Sequence, residues 1–435
     1  MFKDINDVYT YFLTREKKLG MKFGLERMHE LLEHLHVSLH DLNFIHLAGT
    51  NGKGSTLNYL KNILIEEGYQ VGAFISPHIE RLEERMTINN EEISEADLLR
   101  LCNKVMDTVG NMEQDNVYPT QFEMLTIIAL MYFQEKQPDF VLMETGLGGN
   151  LDSTNVITPL LSIITNVSLD HTNILGNEIH YIAQEKAGII KENKVTITGA
   201  KDEVALAVIT EYAKLRHNEL FVLGEQFKTD HKQSVADGEK FSYWFANKQL
   251  NDVKISMLGD HQVDNASLAM TAAFVLQDKY GYAMSENSIR SGLEKAIWQG
   301  RLETVSNHPH VIVDGSHNEE GMNTLLETLE TRYHDKNIIF VTAALADKDV
   351  ESMIKKLETQ ASHIICTQFT SDRALSASEL ASHCSTREYS IVTDWKEAVD
   401  KGLEMCNDDT MLVVTGSLYF LGFVRPYVKE RLDEK

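Results

Sequence analysis

Residues 46–56 read His-Leu-Ala-Gly-Thr-Asn-Gly-Lys-Gly-Ser-Thr and run from an apolar stretch into an amphipathic one. Three glycines let a backbone curl until successive N–H groups converge on one anion. A helix start adds partial positive charge there. Lys53 supplies a full charge, and Ser55 or Thr56 can reach a magnesium ion. Together these groups suit a nucleotide phosphate. The strict eight-residue phosphate loop would need glycine where Leu47 stands and Ser or Thr directly after the lysine. Gly54 follows the lysine here, so the loop is a shortened variant. A glycine-rich turn with no ligand is the weaker reading, because it leaves the lysine at a strand–helix junction unexplained.

Other residues fit a magnesium nucleotide. Glu144 follows the apolar run Phe140–Met143 and opens the loop Thr145-Gly-Leu-Gly-Gly149. A carboxylate at the carboxyl end of a parallel strand faces the crevice where such sheets bind ligands, and it is a hard oxygen donor. Asp170-His171 follows another run, Leu160–Thr165. It reads either as a second metal ligand or as a capped turn. Lys186 sits near a helix C-terminus, where a lysine opposing the dipole is ordinary. Thr120-Gln-Phe-Glu123, Ser94-Glu-Ala-Asp97 and Ser316-His-Asn-Glu319 each match a capping box, which alone would explain them. His29, His34, His36 and His40 read as a solvated helix face rather than a metal site.

Strands and helices must hold these groups in place. Phe44–Ala48, Val71–Ile75, Phe140–Met143, Leu160–Ile164 and Val195–Ile197 read as strands. Ser55–Glu67 reads as a helix with Leu57, Leu60, Ile63 and Leu64 on one face. That is a strand–loop–helix–strand unit of a parallel sheet. A more polar stretch, 221–253, reads as antiparallel strands at the edge of the first domain. Alternation restarts after Gly292, with strands expected at Val311–Val313, Ile338–Val341, His363–Cys366, Ser390–Val392 and Met411–Val414. The expected organisation is therefore α/β in two domains, 1–297 and 298–435, in a chain of 435 residues.

Composition narrows the class. Hydrophobic residues make up 43% and charged residues 24%, enough for two ordinary cores. Asp plus Glu outnumber Lys plus Arg by 65 to 41, a net charge of −24, which disfavours nucleic acid and anionic membranes as partners. The four cysteines form no C-x-x-C pair and fit a reducing cytoplasm. Neither a signal peptide nor an 18-residue apolar span is read.

Taken in order, the motifs resemble the folylpolyglutamate synthase/dihydrofolate synthase family, a branch of the Mur ligase superfamily. The resemblance rests on Ala48–Ser55, Ser76-Pro-His78 with Glu84-Arg85, Thr120–Glu123, Glu144–Gly149 with Leu151–Asn155, Leu169–Thr172, and Glu185–Lys191. It continues through Gly259–Gln262 with Asn265, Gly300–Glu303, Asp314–Asn318, Asp347–Asp349 and Thr415–Tyr419. It implies an N-terminal P-loop ATPase-like domain with a parallel sheet and a smaller C-terminal Rossmann-like α/β domain. ATP and Mg2+ would be the cofactors. Thr50, Asn51, Gly52, Lys53, Gly54, Ser55, Asn265, Arg301 and Asp314 would bind ATP. Ser76, Glu144 and His171, with Ser55 close by, would hold magnesium. Lys186 matches a lysine that is carbamylated in many Mur-type ligases, and His317 one near the γ-phosphate. Thr120, Gln121, Phe122, Glu123 and Asp152 match the surroundings of a pterin-bearing substrate. Asn150 stands where many members carry arginine, so that cation is missing.

The implied activity is ATP-dependent addition of L-glutamate to a folate, or to dihydropteroate, through an acyl phosphate, by a monomer acting on small molecules. A peptidoglycan Mur ligase is the nearest alternative. It would carry a UDP-binding domain before the loop, and only 48 residues precede Gly49. A non-catalytic nucleotide switch is a second alternative; it would need the loop but not Glu144, His171, Lys186 and Arg301 together.

Overall fold

The structure is a computed structural model and describes residues 1–385 and 388–433. Its first sheet is built from β1 (Phe44–Ala48), β2 (Val71–Phe74), β3 (Met86–Ile88), β4 (Glu91–Glu92), β5 (Phe140–Glu144), β6 (Leu161–Ile164), β7 (Val195–Thr198) and β8 (Glu219–Val222). The spatial order is β4-β3-β2-β5-β1-β6-β7-β8. The six strands from β2 to β8 in that order run parallel, and β3 and β4 are antiparallel to their neighbours. β1, β2, β5, β6 and β7 are buried along their whole length, as strands covered on both faces must be. The chain leaves β1 toward β2 on one side and leaves β5 toward β6 on the other. That reversal opens a crevice at the carboxyl ends of β1 and β5, where open α/β sheets bind ligands.

One face of this sheet carries the helices Ile5–Leu19, Glu26–His34, Glu95–Gln114 and Gln121–Lys136 over a shared apolar core. A second core gathers under Ile179–Ala187 and Glu203–Leu215. The helix that follows the phosphate loop spans Lys53–Glu66. Every residue from Ser55 to Leu64 in it is buried, so the one-sided face expected from its leucines understates its packing.

From residue 227 on, the polar stretch lies outside the first sheet, whose edges are β4 and β8. Phe227–Val235 (β9), Gly238–Phe245 (β10) and Lys248–Ile255 (β11) form a separate three-stranded sheet, ordered β11-β10-β9. Two-residue connections make each neighbouring pair a hairpin.

The chain divides into two compact units. The first holds Met1–His231, Phe241–Lys254 and Val263–Ala296. The second holds Lys232–Lys240, Ile255–Gln262 and the chain from Ile297 onward. The second unit's sheet comprises β12 (Glu303–Asn307), β13 (His310–Val313), β14 (Asn337–Thr342), β15 (Ala361–Cys366), β16 (Tyr389–Ile391) and β17 (Thr410–Thr415). Its order is β12-β13-β17-β14-β15-β16. The five strands read from their apolar runs are present and run parallel. β12 is an unforeseen antiparallel sixth. Its sequence, Glu-Thr-Val-Ser-Asn, is an edge strand's and offers no apolar run.

Gly292 lets the helix Glu286–Lys295 lie directly on the phosphate-loop helix. A Cβ there would stand 2.5 Å from Ile63 Cα and 2.7 Å from the Asn62 carbonyl carbon, both backbone. Alanine's helix propensity favours Gly292→Ala by about 1 kcal/mol. Forcing two backbones apart costs about 1–3 kcal/mol, so the clash should win. Urea unfolding of Gly292→Ala should therefore show a lower midpoint; an equal or higher one would mean that the helices separate freely.

Candidate active site

The phosphate loop takes its shape from the neighbouring strand end. Thr165, just past β6, donates its hydroxyl to the Asn51 carbonyl at 2.6 Å. Asn166 Oδ1 accepts the Asn51 N–H at 2.8 Å, and the Asn166 carbonyl accepts the Thr50 N–H at 3.1 Å. Thr50 Oγ1 exchanges hydrogen bonds of 3.1 Å with both backbone groups of Ser168. Gly52 has φ 82° and would drive a Cβ into Asn265 Oδ1, so the turn into the helix needs glycine twice over. Asn265 is buried, and its Oδ1 also accepts the Thr56 hydroxyl at 3.4 Å. Lys53 Nζ lies over the loop, 3.0 Å from the Gly49 carbonyl and 3.2 Å from that of Thr50. Gly54 and Ser55 form the first helical turn, with Ser55 buried.

Glu144 ends β5, and Ser76 lies just past β2, the adjacent strand, with Phe74 opposite Met143. That register brings the two together. The Ser76 N–H donates to Glu144 Oε2 at 3.1 Å, and both residues are shielded. Ser76 Oγ is buried with no hydrogen-bond partner. A buried hydroxyl without a partner costs free energy unless something outside the chain completes it. Beside a carboxylate, this hydroxyl suits Mg2+, which takes one or two protein oxygens and otherwise phosphates and water. Consistent with so few protein donors, no cluster of three or more His, Cys, Asp or Glu fit to hold a metal occurs among the described residues.

His171 caps the short helix Thr172–Leu175 in a left-handed conformation, φ 49°. Its N–H donates to Asp170 Oδ1 at 2.7 Å, and its ring Nε2 is 3.9 Å from the same oxygen. No side chain caps the helix, and the imidazole stays one-third exposed. Lys186 is buried in Ile179–Ala187. Burial first, then the nearby Lys53 charge, bring its pKa down to about 7, against the opposing pull of Asp170 and Glu185. A neutral amine is therefore accessible near neutral pH, the form that reacts with CO2.

Thr120 and Glu123 close on each other as the capping box that their spacing implies, with bonds of 2.6 and 3.2 Å. The sequence did not point to Arg27. Its Nε meets Glu123 Oε1 at 2.9 Å and Oε2 at 3.1 Å, leaving the fully buried carboxylate paired. Both side chains are thus committed to the protein, whereas Gln121 and Phe122 remain partly exposed. The Phe122 ring packs on Gly146, where a Cβ would come within 2.6 Å of it. Asp152 is buried; its carboxylate accepts the N–H groups of Gly146 and Leu147 at 2.9 Å and both the N–H and the hydroxyl of Thr154 at 3.0 and 2.5 Å. Burial raises its pKa while these donors oppose the rise. Asn150 is exposed, and its N–H donates to the Glu185 carbonyl at 2.7 Å.

In the second unit Asp314 is buried past β13 and binds the backbone N–H of Leu302 and Ser316, each at 2.9 Å. It thereby fixes the turn that carries Arg301. Leu302 sits at φ 45°, a conformation few side chains adopt. His317 Nδ1 is 3.0 Å from the Gly315 carbonyl. The capping box expected at Ser316–Glu319 is not formed. The helix begins at Glu319, and Asn318 caps it by accepting the Gly321 N–H. The four N-terminal histidines are all exposed, as expected, but only His29 and His34 lie on the helix Glu26–His34; His36 and His40 follow it in turns.

Two family models match. Residues 47–273 match the Mur ligase middle domain, and residues 300–418 the Mur ligase glutamate ligase domain. A dihydrofolate synthase/folylpolyglutamate synthase of Bacillus subtilis is 40% identical over 420 residues, covering 95% of this chain and 96% of that protein. The chain belongs to the folylpolyglutamate synthase/dihydrofolate synthase family of Mur ligases. Among solved structures, E. coli FolC in complex with DHPP and ADP is 27% identical, with a TM-score of 0.89 and coverage of 99% of this chain and 98% of that one. A bifunctional folylpolyglutamate synthase/dihydrofolate synthase with Mn, AMPPNP and L-glutamate bound is also 27% identical, with a TM-score of 0.86 and 98% of both chains covered. As a member of this family the chain is an ATP-dependent ligase. No helix among its described residues is long and apolar enough to cross a membrane.

The buried lysine makes a pH prediction. An unfolded-chain lysine titrates near about 10.4. With the folded value about 7, the unfolded state binds the extra proton between these values, so stability rises with pH across that window. Lys186→Met should be more stable than wild type at pH 6.5, with the gap closing toward pH 10. Urea unfolding in CO2-free buffers measures this, and a gap that does not change with pH would mean that the amine is solvated.

Proposed function

We propose that this chain joins L-glutamate to the carboxylate of a folate at the expense of ATP, and that it accepts dihydropteroate as well. The observation that carries this reading is the unpartnered Ser76 hydroxyl beside Glu144, at the sheet end that bears the phosphate loop. A nucleotide switch would also hold a magnesium nucleotide, but it has no need of Glu144, His171, Lys186 and Arg301 together. The double acceptor rests on the B. subtilis relative, which carries both names along nearly the same length.

In this reading the acceptor's carboxylate oxygen attacks the γ-phosphorus of ATP. The bond to the bridging oxygen breaks and ADP leaves an acyl phosphate. The amine of L-glutamate then attacks the acyl carbon, phosphate departs, and the amine sheds a proton. We assign Thr50, Asn51, Gly52, Lys53, Gly54 and Ser55 to the nucleotide phosphates: the Gly52 and Gly54 N–H groups and the Lys53 ammonium face the anion, while Thr50 and Asn51, whose N–H groups are held by Asn166, fix the loop around it. Asn265, Arg301 and Asp314 are assigned to the rest of ATP, and His317 to the neighbourhood of the γ-phosphate. Ser55, Ser76, Glu144 and His171 would hold magnesium, which offsets charge on the transferred phosphoryl group. Lys186, once carbamylated, presents oxygens in place of a cation. Gln121 and Phe122 would face the acceptor, with Thr120, Glu123 and Asp152 shaping the wall behind them. Such transfers run on positioning and electrostatics more than on covalent chemistry. We place the boundary between the ATP-binding and ligase domains at 297/298. We take the protein to be a cytoplasmic monomer, since four cysteines with no C-x-x-C pair fit a reducing compartment.

The test is ADP release by the purified protein with ATP, magnesium, L-glutamate and either tetrahydrofolate or dihydropteroate. Release should require both glutamate and a pterin acceptor, and the product should gain one glutamyl mass. Release that ignores either substrate would sink the reading. Lys53→Ala should lose about 2.7–4 kcal/mol of transition-state stabilisation, roughly 100- to 1000-fold in kcat, by comparison with the loss of one oxyanion donor. Near-normal turnover would remove Lys53 from phosphate binding.

A further inference from the structure

His46 is an imidazole in the middle of β1, among Phe44, Ile45, Leu47 and Ala48, and it is fully buried. Its Nε2 lies 2.8 Å from Thr154 Oγ1, and Thr154 Oγ1 lies 2.5 Å from Asp152 Oδ1. A hydroxyl has one proton to give. The Asp152 carboxylate already collects three backbone N–H groups, from Gly146, Leu147 and Thr154, so it acts as an acceptor. The Thr154 proton therefore points to Asp152, and Thr154 accepts from His46. That fixes the proton of the ring on Nε2. Burial, helped by the Lys191 charge, keeps the ring neutral. Nδ1 is left buried with no hydrogen-bond partner, a cost that an apolar residue in this strand would avoid. What the imidazole adds is the bond to Thr154.

The turn at the end of this relay has no slack. A Cβ at Gly146 would press on the Phe122 ring, and one at Gly149 would come within 2.6 Å of the Glu185 carbonyl and 3.2 Å of Lys186 Cα. The Gly146–Gly149 turn thus spaces Phe122 from Lys186. We propose that His46 is a positioning residue: through Thr154 it holds Asp152, and so sets this turn at the spacing that seats the acceptor substrate. The proposal rests on the acceptor reading above for its kinetic consequence, though not for its structural one.

The test compares His46→Leu, which removes the donor, with His46→Gln, which can present an N–H near the Nε2 position. Thr154→Val and Thr154→Ser form a second pair. Two readouts are taken: amide hydrogen exchange at Gly146 and Leu147, and KM for tetrahydrofolate against KM for ATP. His46→Leu and Thr154→Val should speed exchange at those two amides and raise the folate KM about tenfold, roughly what losing one buried hydrogen bond is worth. The KM for ATP should stay within about twofold, well under the tenfold that 1.4 kcal/mol would bring. His46→Gln and Thr154→Ser should return both readouts toward wild type. If the Leu and Gln variants behave alike, or if unfolding temperature falls while amides and KM stay put, His46 is only a core residue and the proposal fails. If His46→Leu does not fold, the threonine pair decides by the same two readouts. Should the wild type ignore folates, the functional reading falls, and the amide exchange still decides the relay.

Discussion

The site depends on one register. β1 lies between β5 and β6, and each of the three strand ends delivers a different part of the chemistry. β1 runs into the phosphate loop, β5 ends in Glu144, and β6 runs into Thr165 and Asn166, which hold the loop's backbone. A slip of one residue would turn Glu144 to the other face and take the braces away from the loop. Full burial of all three strands excludes such a slip, because any shifted pairing would expose or misplace an apolar side chain.

Charge is handled locally against an unfavourable background. With a net charge of −24 the protein as a whole repels a triphosphate. Attraction must come from backbone dipoles and a few cations held close to the ligand. Lys53 and Lys186 lie near enough for the first to depress the pKa of the second, and burial does the larger part. Two cations crowded together are costly until an anion arrives or one of them gives up its proton. The site is therefore built for a ligand that brings negative charge.

The parts of the architecture that rest on local spacing were legible in the sequence. The glycines and lysine of the phosphate loop, the carboxylate closing β5 and the apolar runs of both sheets could be read directly. Longer-range features were not. Arg27 neutralises Glu123 from 96 residues away, and no pattern near either residue announces it. Asn166 and Ser168 brace the loop as ordinary polar residues after a strand. β12 is too polar to read as a strand, and pairing with β13 makes it one. The cap expected at Ser316 falls to Asn318, because Asp314 already holds the Ser316 N–H that a capping box would need. Asp152 reads as a substrate contact by resemblance, yet its oxygens gather four donors from its own loop, a fact visible only once the turn is folded.

The helix Lys53–Glu66 has no free side. Sheet, loops and the helix seated on it through Gly292 enclose it over its middle turns. A cylinder gripped all round can neither roll nor slide by a fraction of a turn, the small adjustments by which many helices follow a ligand in and out. The anion cradle at its start is consequently anchored to a helix that cannot shift beneath it. Compliance during a catalytic cycle has to reside elsewhere, in segments that meet solvent, such as the turn before β3 and the exposed stretch around His171.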